Sequence, residues 1–496
     1  MLEMFAAGFA TIFSSPMNIA LIVLGISAGV IFGVIPGLTV VAGLSMFLPI
    51  TFGMDMGIAI SVLAGIFIGG SAGGLIPAIL LNIPGTPNAI ATTFDGHPMA
   101  LKGQADKALG LGIIGSFIGT MASIVALVFV APLLASLTIR FGPWEMFAVI
   151  VFSLTLISTL VGKSLTKGLI SACIGIMIAT VGMAPIDGAQ RFTFGNLQLL
   201  DGFTLVPVLV GIYAISEVIT SATGAKAQTA NVMDVKIRGF GFKLIDLITQ
   251  IPNLIRACLV GVGIGVLPGI GGATSNLISY SVIKNASKYP EKFGTGVPDG
   301  VIASETASNA TAGGSMIPLL TLGVPGDGST ALLLAGFMLH GVTPGPLMFQ
   351  THGPALYLIF ASMIISSFLM VFIMFGAMRG FIRILKVPPF FLMPIIVVFC
   401  IIGAYAVGFR TFDAYALLAF GVFGIFMQKF GIPIPPLILG FVLGEPFERH
   451  LRTGLQHSQG DLTQLVNHPI ALGFFGFIIL FFASSAIMKK IRSRKA

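Results

Sequence analysis

The sequence predicts an all-α polytopic membrane protein of about 12 transmembrane segments in two structural repeats, with broken helices or re-entrant hairpins. Three observations predict it. The 496 residues are 56% hydrophobic and 9% charged, whereas a soluble domain carries roughly 25% charged residues. So few polar groups cannot cover a water-facing surface, and the exterior must face lipid. Apolar runs of bilayer-spanning length recur along the whole chain. Finally, one glycine–proline pattern occurs twice, in the same order, in the two halves.

The apolar runs fall near 17–35, 56–80, 108–136, 144–162, 168–184, 203–222, 254–283, 301–323, 354–378, 390–408, 412–428 and 470–488. Runs rich in Pro or Gly are expected to be broken or re-entrant. The organisation read from them is a first membrane repeat over 1–222, a polar or amphipathic connector over 223–253, and a second membrane repeat over 254–496 with a basic C-terminal tail. Excess Lys and Arg mark cytoplasmic loops. These are expected within 226–243, within 379–386, around Lys163 and Lys167, and in the tail Lys489, Lys490, Arg492, Arg494 and Lys495. Residues 1–15 lack a basic region followed by a small-residue cleavage site and read as mature protein.

The formal charge of +8 does not make a nucleic-acid-binding protein, because the basic residues are scattered between apolar runs. Cys173, Cys258 and Cys400 stand far apart in apolar surroundings, with neither metal-ligand nor disulfide spacing. The six histidines show no zinc spacing; His97 and His340 occupy comparable Gly- and Pro-containing stretches. Gly69 to Gly73 matches the serine-nucleophile pattern around Ser71, but in an apolar glycine-rich span rather than a strand–turn–helix. Gly162-Lys163-Ser164 resembles the end of a phosphate loop, with Ile157 where the first glycine is required.

The repeat is the most informative feature. Gly25, Gly29, Gly33 and Gly37 recur every four residues with Pro36 before the last, and Gly261, Gly265 and Gly269 do the same with Pro268. Each set is followed by a Gly-Gly pair and a proline-to-proline step, ending at Pro84-Gly85 in the first half and Pro325-Gly326 in the second. Glycine and proline cost a helix interior roughly 1 and 3 kcal/mol. In lipid, the backbone groups they free must be satisfied by protein or by an enclosed watery cavity. Matched breaks in two halves therefore point to a transporter's central site. Half-helix N-termini meeting there favour an anion. Small residues every fourth position also serve close helix packing, and for the glycines both readings stand.

Polar side chains gather at the breaks. Thr39 follows the first. Asn82, Thr86, Asn88, Thr92 and Thr93 surround Pro84-Gly85. Gly271, Thr274, Ser275 and Asn276 follow Pro268-Gly269, and Asp327, Ser329 and Thr330 follow Pro325-Gly326. Between the last two breaks lie Glu305 and Asn309. Ionisable residues inside apolar segments are functional candidates, and Glu305 and Asp327 lead here, each able to carry a proton or help hold Na⁺. Glu145, Glu217 and Glu445 read as segment ends. No organic cofactor is expected, and no metal beyond such a coupling cation. Channel, membrane-embedded enzyme using Ser71, and non-transporting scaffold remain as competing readings.

These motifs resemble the large membrane subunit of the bacterial tripartite tricarboxylate transporters. The resemblance rests on Leu81-Asn-Ile-Pro-Gly-Thr-Pro87 with Asp95-Gly-His-Pro98, Leu267-Pro-Gly-Ile-Gly271, Ser287-Lys-Tyr-Pro-Glu-Lys-Phe-Gly294, Gly313-Gly-Ser-Met-Ile-Pro318, Leu322-Gly-Val-Pro-Gly326 and His340-Gly-Val-Thr-Pro-Gly-Pro346. It implies a permease in the bacterial inner membrane, working with a small membrane subunit and a periplasmic solute-binding protein. The implied function is import of citrate-like di- and tricarboxylates driven by a Na⁺ or H⁺ gradient. It also implies repeats of inverted topology, an elevator-like mechanism, and no enzymatic activity. Carried over by position, the solute and ion sites fall at Pro36, Gly37 and Thr39, at Asn82, Pro84, Gly85 and Thr86, at Pro268, Gly269 and Gly271, at Glu305 and Asn309, and at Pro325, Gly326 and Asp327. The chain departs from the family pattern with Ser308 in place of an Asn, Asp327 in place of a Ser, and the stretches 282–284 and 298–299 in place of Glu-containing ones.

Overall fold

The glycine-broken apolar runs fold into a nearly all-helical chain. The structure is a computed structural model describing residues 2–160, 164–224, 241–384, 392–480 and 482. The expected basic loops over 226–243 and 379–386 lie partly outside these residues, and Lys163 and the basic tail wholly so.

The described residues form two compact units, each made of two chain segments: Met1–Ala135 with Leu205–Phe426, and Ser136–Thr204 with Met427–Ala496. The first unit opens with α1 (Leu2–Phe13), α2 (Pro16–Val34), α3 (Val40–Phe47), α4 (Met56–Gly73), α5 (Leu75–Leu81) and α6 (Thr92–Leu101), and runs into α7 (Ala105–Thr138). The second unit holds α8 (Pro143–Leu160), α9 (Leu165–Ala179) and an antiparallel hairpin pairing Gly182 with Arg191 and Met183 with Gln190. The chain returns to the first unit through α10 (Leu205–Val210), a π-helical turn (Gly211–Ile215) and α11 (Ser216–Gly224).

The first unit continues with α12 (Leu244–Ile248), α13 (Ile251–Gly265), α14 (Gly271–Ala286), α15 (Pro298–Leu322) and α16 (Gly328–Leu339). Then come α17 (Met348–Thr351), α18 (Gly353–Gly376), α19 (Met378–Ile384), α20 (Leu392–Gly408) and α21 (Thr411–Lys429). In the second unit α22 (Ile434–His457) precedes a final apolar helix, Pro469–Leu480.

Five helical spans among the described residues are long and apolar enough to cross a bilayer by themselves, the most buried being Met56–Leu81. Nine further apolar helices among the described residues are shorter. The run 254–283, expected as one segment, is two helices separated at Pro268-Gly269. The run 203–222 is one helical column containing the π turn. The short helices α3 and α16 fall between the expected runs, each following directly on a break loop.

Within the second unit, α9 and α22 approach at backbone distance, with Gly175 against the Leu437 carbonyl and Gly440 against the Ala172 carbonyl. Outside the apolar face, Arg191 grips both carboxylate oxygens of Glu448 at 2.9 Å. Arg452 bridges Glu448 at 3.0 Å and Asp187 at 2.5 Å. The Trp144 indole N–H donates to Ser458 at 3.2 Å.

Candidate functional site

The four breaks sit where glycine allows backbones to touch. In the first half, α2 lies on α4 through Gly25, Gly29 and Gly33. A Cβ on Gly25 would stand 2.6 Å from the Val62 carbonyl oxygen. One on Gly29 would strike the Ile66 carbonyl, and one on Gly33 the Gly70 carbonyl. In the second half α13 lies on α15 in the same way: a Cβ on Gly261 would stand 2.5 Å from the Ala307 carbonyl oxygen, and one on Gly265 2.9 Å from that of Thr311. The glycine stripes thus do serve packing, and the packing is repeated.

The loops that follow are also repeated. After α2 the chain turns through half-buried Pro36 and exposed Gly37, the latter at φ 87°. After α13 it turns through Pro268 and Gly269 at φ 80°. Such left-handed positions admit glycine without strain. The helix before each Pro-Gly tip, α5 in the first half and α15 in the second, ends in a left-handed cap, Asn82 at φ 58° and Gly323 at φ 71°. The Ile83 N–H bonds the Pro77 carbonyl at 3.4 Å and the Val324 N–H bonds the Pro318 carbonyl at 3.2 Å. In both halves this bond reaches back six positions to a proline carbonyl, so the two ends share one backbone geometry.

Each Pro-Gly tip then folds back onto its own helix. Gly85 lies on Gly74, bonding its carbonyl at 3.3 Å, and against the carbonyl of Gly33. Gly326 lies on Ser315, with a Cβ there 2.5 Å from Ser315 Cβ and 3.2 Å from the Gly265 carbonyl oxygen. The Gly326 carbonyl accepts from the Gly269 N–H at 2.6 Å, tying the two second-half breaks together.

The halves exchange contacts beyond the tips. The turn after the first tip, Pro87–Ala89, packs on α14: Asn88 presses on Gly272 and its carbonyl accepts from the Asn276 amide. The helix after the second tip, α16, packs on α3 and α4, with Gly336 against Leu63 and Ile60. α14 starts at Gly271, φ 66°, with no side-chain cap on its first turn. Uncapped N–H groups at a helix start attract an anion. Asp327 stands beside that start, its Cβ 3.1 Å from a Cβ position on Gly271.

Asp327 also caps α16. Its Oδ1 accepts from the Thr330 N–H at 2.8 Å, and its own N–H donates to Thr330 Oγ1 at 2.8 Å. Thr39 caps α3 and donates to Glu217 Oε2 at 2.9 Å. Glu217, read as a segment end, is therefore inside the helical column and bonded to the first break. The π turn before it places the Tyr213 hydroxyl 2.8 Å from a Cβ position on Gly328, beside the last break. Inserted π turns recur at functional sites because they re-aim the residues that follow. The rule that flags ionisable residues inside apolar runs applies to Glu217, whose run is 203–222; Tyr213 carries no such sequence signal.

The predicted residues thus form more than one cluster. Pro36, Gly37 and Thr39 lie at the first break and Asn82, Pro84, Gly85 and Thr86 at the first tip. Pro268, Gly269, Gly271, Pro325, Gly326 and Asp327 come together at the second. Glu305 and Asn309 lie lower on α15. Since Gly326 packs at Ser315, Glu305 is ten residues of helix away, roughly 15 Å at 1.5 Å per residue. Glu305 and Asp327, each a candidate to carry a proton or help hold Na⁺, thus stand at separate places. Glu305, 1% exposed, accepts from Thr92 Oγ1 at 2.5 Å and from Ser116 Oγ at 3.1 Å, and Asn309 donates to Ser116 Oγ at 3.0 Å.

Two further sequence motifs acquire roles. Asp95, fully buried, accepts through Oδ1 from the N–H groups of Gly294, Gly296 and Val297 at 2.8–3.0 Å and through Oδ2 from the Tyr280 hydroxyl at 2.8 Å. It fixes the loop that leads into α15. His97 Nδ1 lies 3.0 Å from the Ile79 carbonyl, and His340 Nε2 3.4 Å from Thr51 Oγ1. Ser71 lies inside helix α4, so the strand–turn–helix setting of a nucleophile elbow is absent there.

Comparison with known proteins converges on one family. The profile of the tripartite tricarboxylate transporter TctA family matches residues 19–439. An uncharacterized 52.8 kDa protein encoded in the TAR-I ttuC′ 3′ region of Agrobacterium vitis is 36% identical over 491 residues, spanning 98% of this chain and 96% of that protein. A second uncharacterized protein, from the TAR-II ttuC′ 3′ region of the same organism, is 42% identical over 232 residues, 47% of this chain and 96% of its own length. No solved structure matches the chain. With a multi-pass helical body and the profile match across most of its length, the chain belongs to the tripartite tricarboxylate transporter TctA family.

Proposed function

We propose that this chain is the permease subunit of a binding-protein-dependent secondary transporter. It imports citrate-like di- and tricarboxylates across the bacterial inner membrane, driven by a Na⁺ or H⁺ gradient. The observation that carries the reading is the duplicated construction of the breaks, Pro36-Gly37 with Pro84-Gly85 and Pro268-Gly269 with Pro325-Gly326. Irregular backbone in a membrane is retained where it lines a solute path. The uncapped start of α14, with Thr274 half-buried on its first turn, offers N–H and hydroxyl donors to a carboxylate.

The site residues are Thr39, Asn82, Thr86, Gly271 and the two Pro-Gly tips, with Glu217 and Asp327 shaping its charge. Its carboxylates disfavour a second anion and favour one that arrives with a proton or cation. A small membrane subunit and a periplasmic binding protein complete the system. Alternation between the two sides occurs by elevator-like movement of inverted repeats. No enzymatic step is assigned to the chain.

Substrate protection tests the site. Thr274→Cys, in the transporter assembled with its small subunit, is treated with a charged maleimide in vesicles of both orientations. Citrate or another di- or tricarboxylate, supplied free and through the binding protein, is expected to slow labelling at least about threefold. Labelling unchanged by a carboxylate that the same vesicles transport would place the solute elsewhere.

A further inference from the structure

Glu305 is part of a polar seam that the binding of a solute at the tips does not use. α7 runs against α15 through glycines. Gly112 faces Glu305, with 3.6 Å from a Cβ position to Glu305 Cγ. Gly115 lies against Thr306, 2.9 Å from its Oγ1, and Gly119 against the Thr306 carbonyl. In that seam both carboxyl oxygens of Glu305 meet hydroxyls, Thr92 at 2.5 Å and Ser116 at 3.1 Å. Thr92 Oγ1 continues to Ser304 Oγ at 2.9 Å, and Ser304 donates on to the Gly300 carbonyl at 3.0 Å. Asn309 holds Ser116 from the other side at 3.0 Å.

Among the described residues no cationic side chain faces this carboxyl. α4 and α5 carry no ionisable residue over 56–81. On α6, Asp95 is bonded to Tyr280 and the 294–297 loop, and His97 to Ile79. On α7, Asp106 and Lys107 stand at the far N-terminal turn, where Lys107 pairs with Asp246 at 2.8 Å. On α15, Asp299 is bonded by Gln250 and Asn253. On α13, Arg256 is exposed and bonds Asn253, and Cys258 is half-buried; on α14, Lys284 stands in the last turn.

An ionised carboxylate so placed has lost its water without gaining a countercharge, which is strongly unfavourable. A Na⁺ ion would need five or six oxygens arranged around a space, whereas here the oxygens are at hydrogen-bond distance from one another. A proton needs no space. With Glu305 protonated, the hydroxyl chain runs Glu305 to Thr92 to Ser304 to the Gly300 carbonyl. With Glu305 ionised, the Thr92 and Ser116 hydroxyls turn to donate to it.

We propose that Glu305 is the coupling-proton site of the transporter: its carboxyl is protonated in the conformation described here, and the proton leaves before the unloaded carrier resets. The step is Glu305–COOH giving Glu305–COO⁻ and one H⁺ released to the receiving side, with no redox change. This rests on the secondary-transport reading above. Thr92 and Ser116 are positioning residues that serve both protonation states.

The test has two arms on the transporter assembled with its small subunit in proteoliposomes. The first is infrared difference spectroscopy at neutral pH, wild type minus Glu305→Gln, which needs no solute. A protonated-carboxyl band lost in E305Q is expected, and absence of any such band would overturn the proposal. The second compares pH-gradient-driven net citrate uptake with citrate counterflow, with the binding protein supplied. E305Q, which imitates the protonated form, is expected to keep counterflow within about threefold of wild type and to lose net uptake at least about tenfold. Glu305→Asp restores part of it. Proton-driven net uptake by E305Q at the wild-type level, or wild-type uptake that follows Na⁺ and ignores pH, would overturn the assignment. Absence of any carboxylate flux in wild type beside an intact infrared band would count against the transport reading and leave the protonated Glu305 standing.

Discussion

Asn82 ends α5 and Gly323 ends α15 in the same left-handed backbone region, φ 58° and 71°. The residue after each, Ile83 or Val324, bonds back to a matching proline carbonyl, Pro77 or Pro318. An asparagine does in one half what a glycine does in the other, since its short amide tolerates the left-handed well. A Cβ at Gly323 would also stand 2.8 Å from the Pro344 carbonyl oxygen, so Gly323→Asn is expected to cost ~1 kcal/mol of thermal stability in detergent, and Gly323→Val, which adds the left-handed strain of a β-branched residue, ~2–3 kcal/mol. Unfolding midpoints of the two variants, compared side by side, decide it; equal losses would show that the left-handed cap is not what the position requires.

The glycine stripes make a sharper contrast. Gly261 and Gly263 are two residues apart on α13, yet a Cβ on Gly261 would stand 2.5 Å from Ala307 backbone oxygen and from Ala310 Cβ, while a Cβ on Gly263 meets nothing within 4 Å. Gly261→Ala is expected to destabilise by ~1–3 kcal/mol through overpacking. Gly263→Ala is expected to be neutral, or stabilising by up to ~1 kcal/mol through helix propensity. Thermal unfolding in one detergent measures both.

Asp95 anchors three N–H groups and a tyrosine hydroxyl with one buried carboxylate. Asp95→Ala leaves those donors without acceptors, at ~1–3 kcal/mol each where water cannot reach them, and is expected to abolish stable expression. Tyr280→Phe removes one donor and is expected to cost about 1 kcal/mol. Membrane yield and unfolding midpoint check the pair, and an Asp95→Ala protein as stable as Tyr280→Phe would contradict the anchoring role.

How much of this was legible follows the chemistry of each residue. The paired breaks were readable because glycine and proline at fixed spacing are conspicuous in an apolar chain, and the structure gives both copies matching backbone geometry. The split of 254–283 at Pro268-Gly269 was readable as a break but not as two helices, since hydropathy continues across the turn. The separation of Glu305 from Asp327 was not readable: residues close on either side of a break are set apart or joined by how far the loop folds back, which only packing determines. The bond from Thr39 to Glu217 joins residues far apart in sequence, and periodicity carries no information on such pairs.

That bond predicts coupling. Thr39→Val and Glu217→Gln are each expected to slow carboxylate uptake. The double variant is expected to be less impaired than the sum of the two effects, by ~0.5–2 kcal/mol expressed as rate, as for residues in direct contact. A double-mutant cycle on initial uptake rates measures it; additive losses would mean that the contact does not matter during transport.

One pH effect is expected outside the membrane spans. The hydrogen bond from Lys107 to Asp246, followed by the backbone N–H of Lys243, holds the Asp246 carboxyl below its usual 3.8. A lowered folded-state value stabilises the fold above the unfolded value, and the contribution disappears as pH falls through the folded one. Both side chains are about a quarter exposed, so the bridge contributes under ~1 kcal/mol. Asp246→Asn should lower the unfolding midpoint slightly at pH 7, and that difference should shrink as pH falls below the usual carboxylate value.

The most direct test of the central claim is gradient-driven uptake of labelled citrate and other di- and tricarboxylates by cells expressing this chain with its small subunit and binding protein. Uptake is expected to collapse when the ion gradient is dissipated, to require this chain, and to fall at least about tenfold when both Gly85 and Gly326 are replaced by valine. Uptake of a carboxylate held by the binding protein that persists unchanged without this chain would contradict that claim.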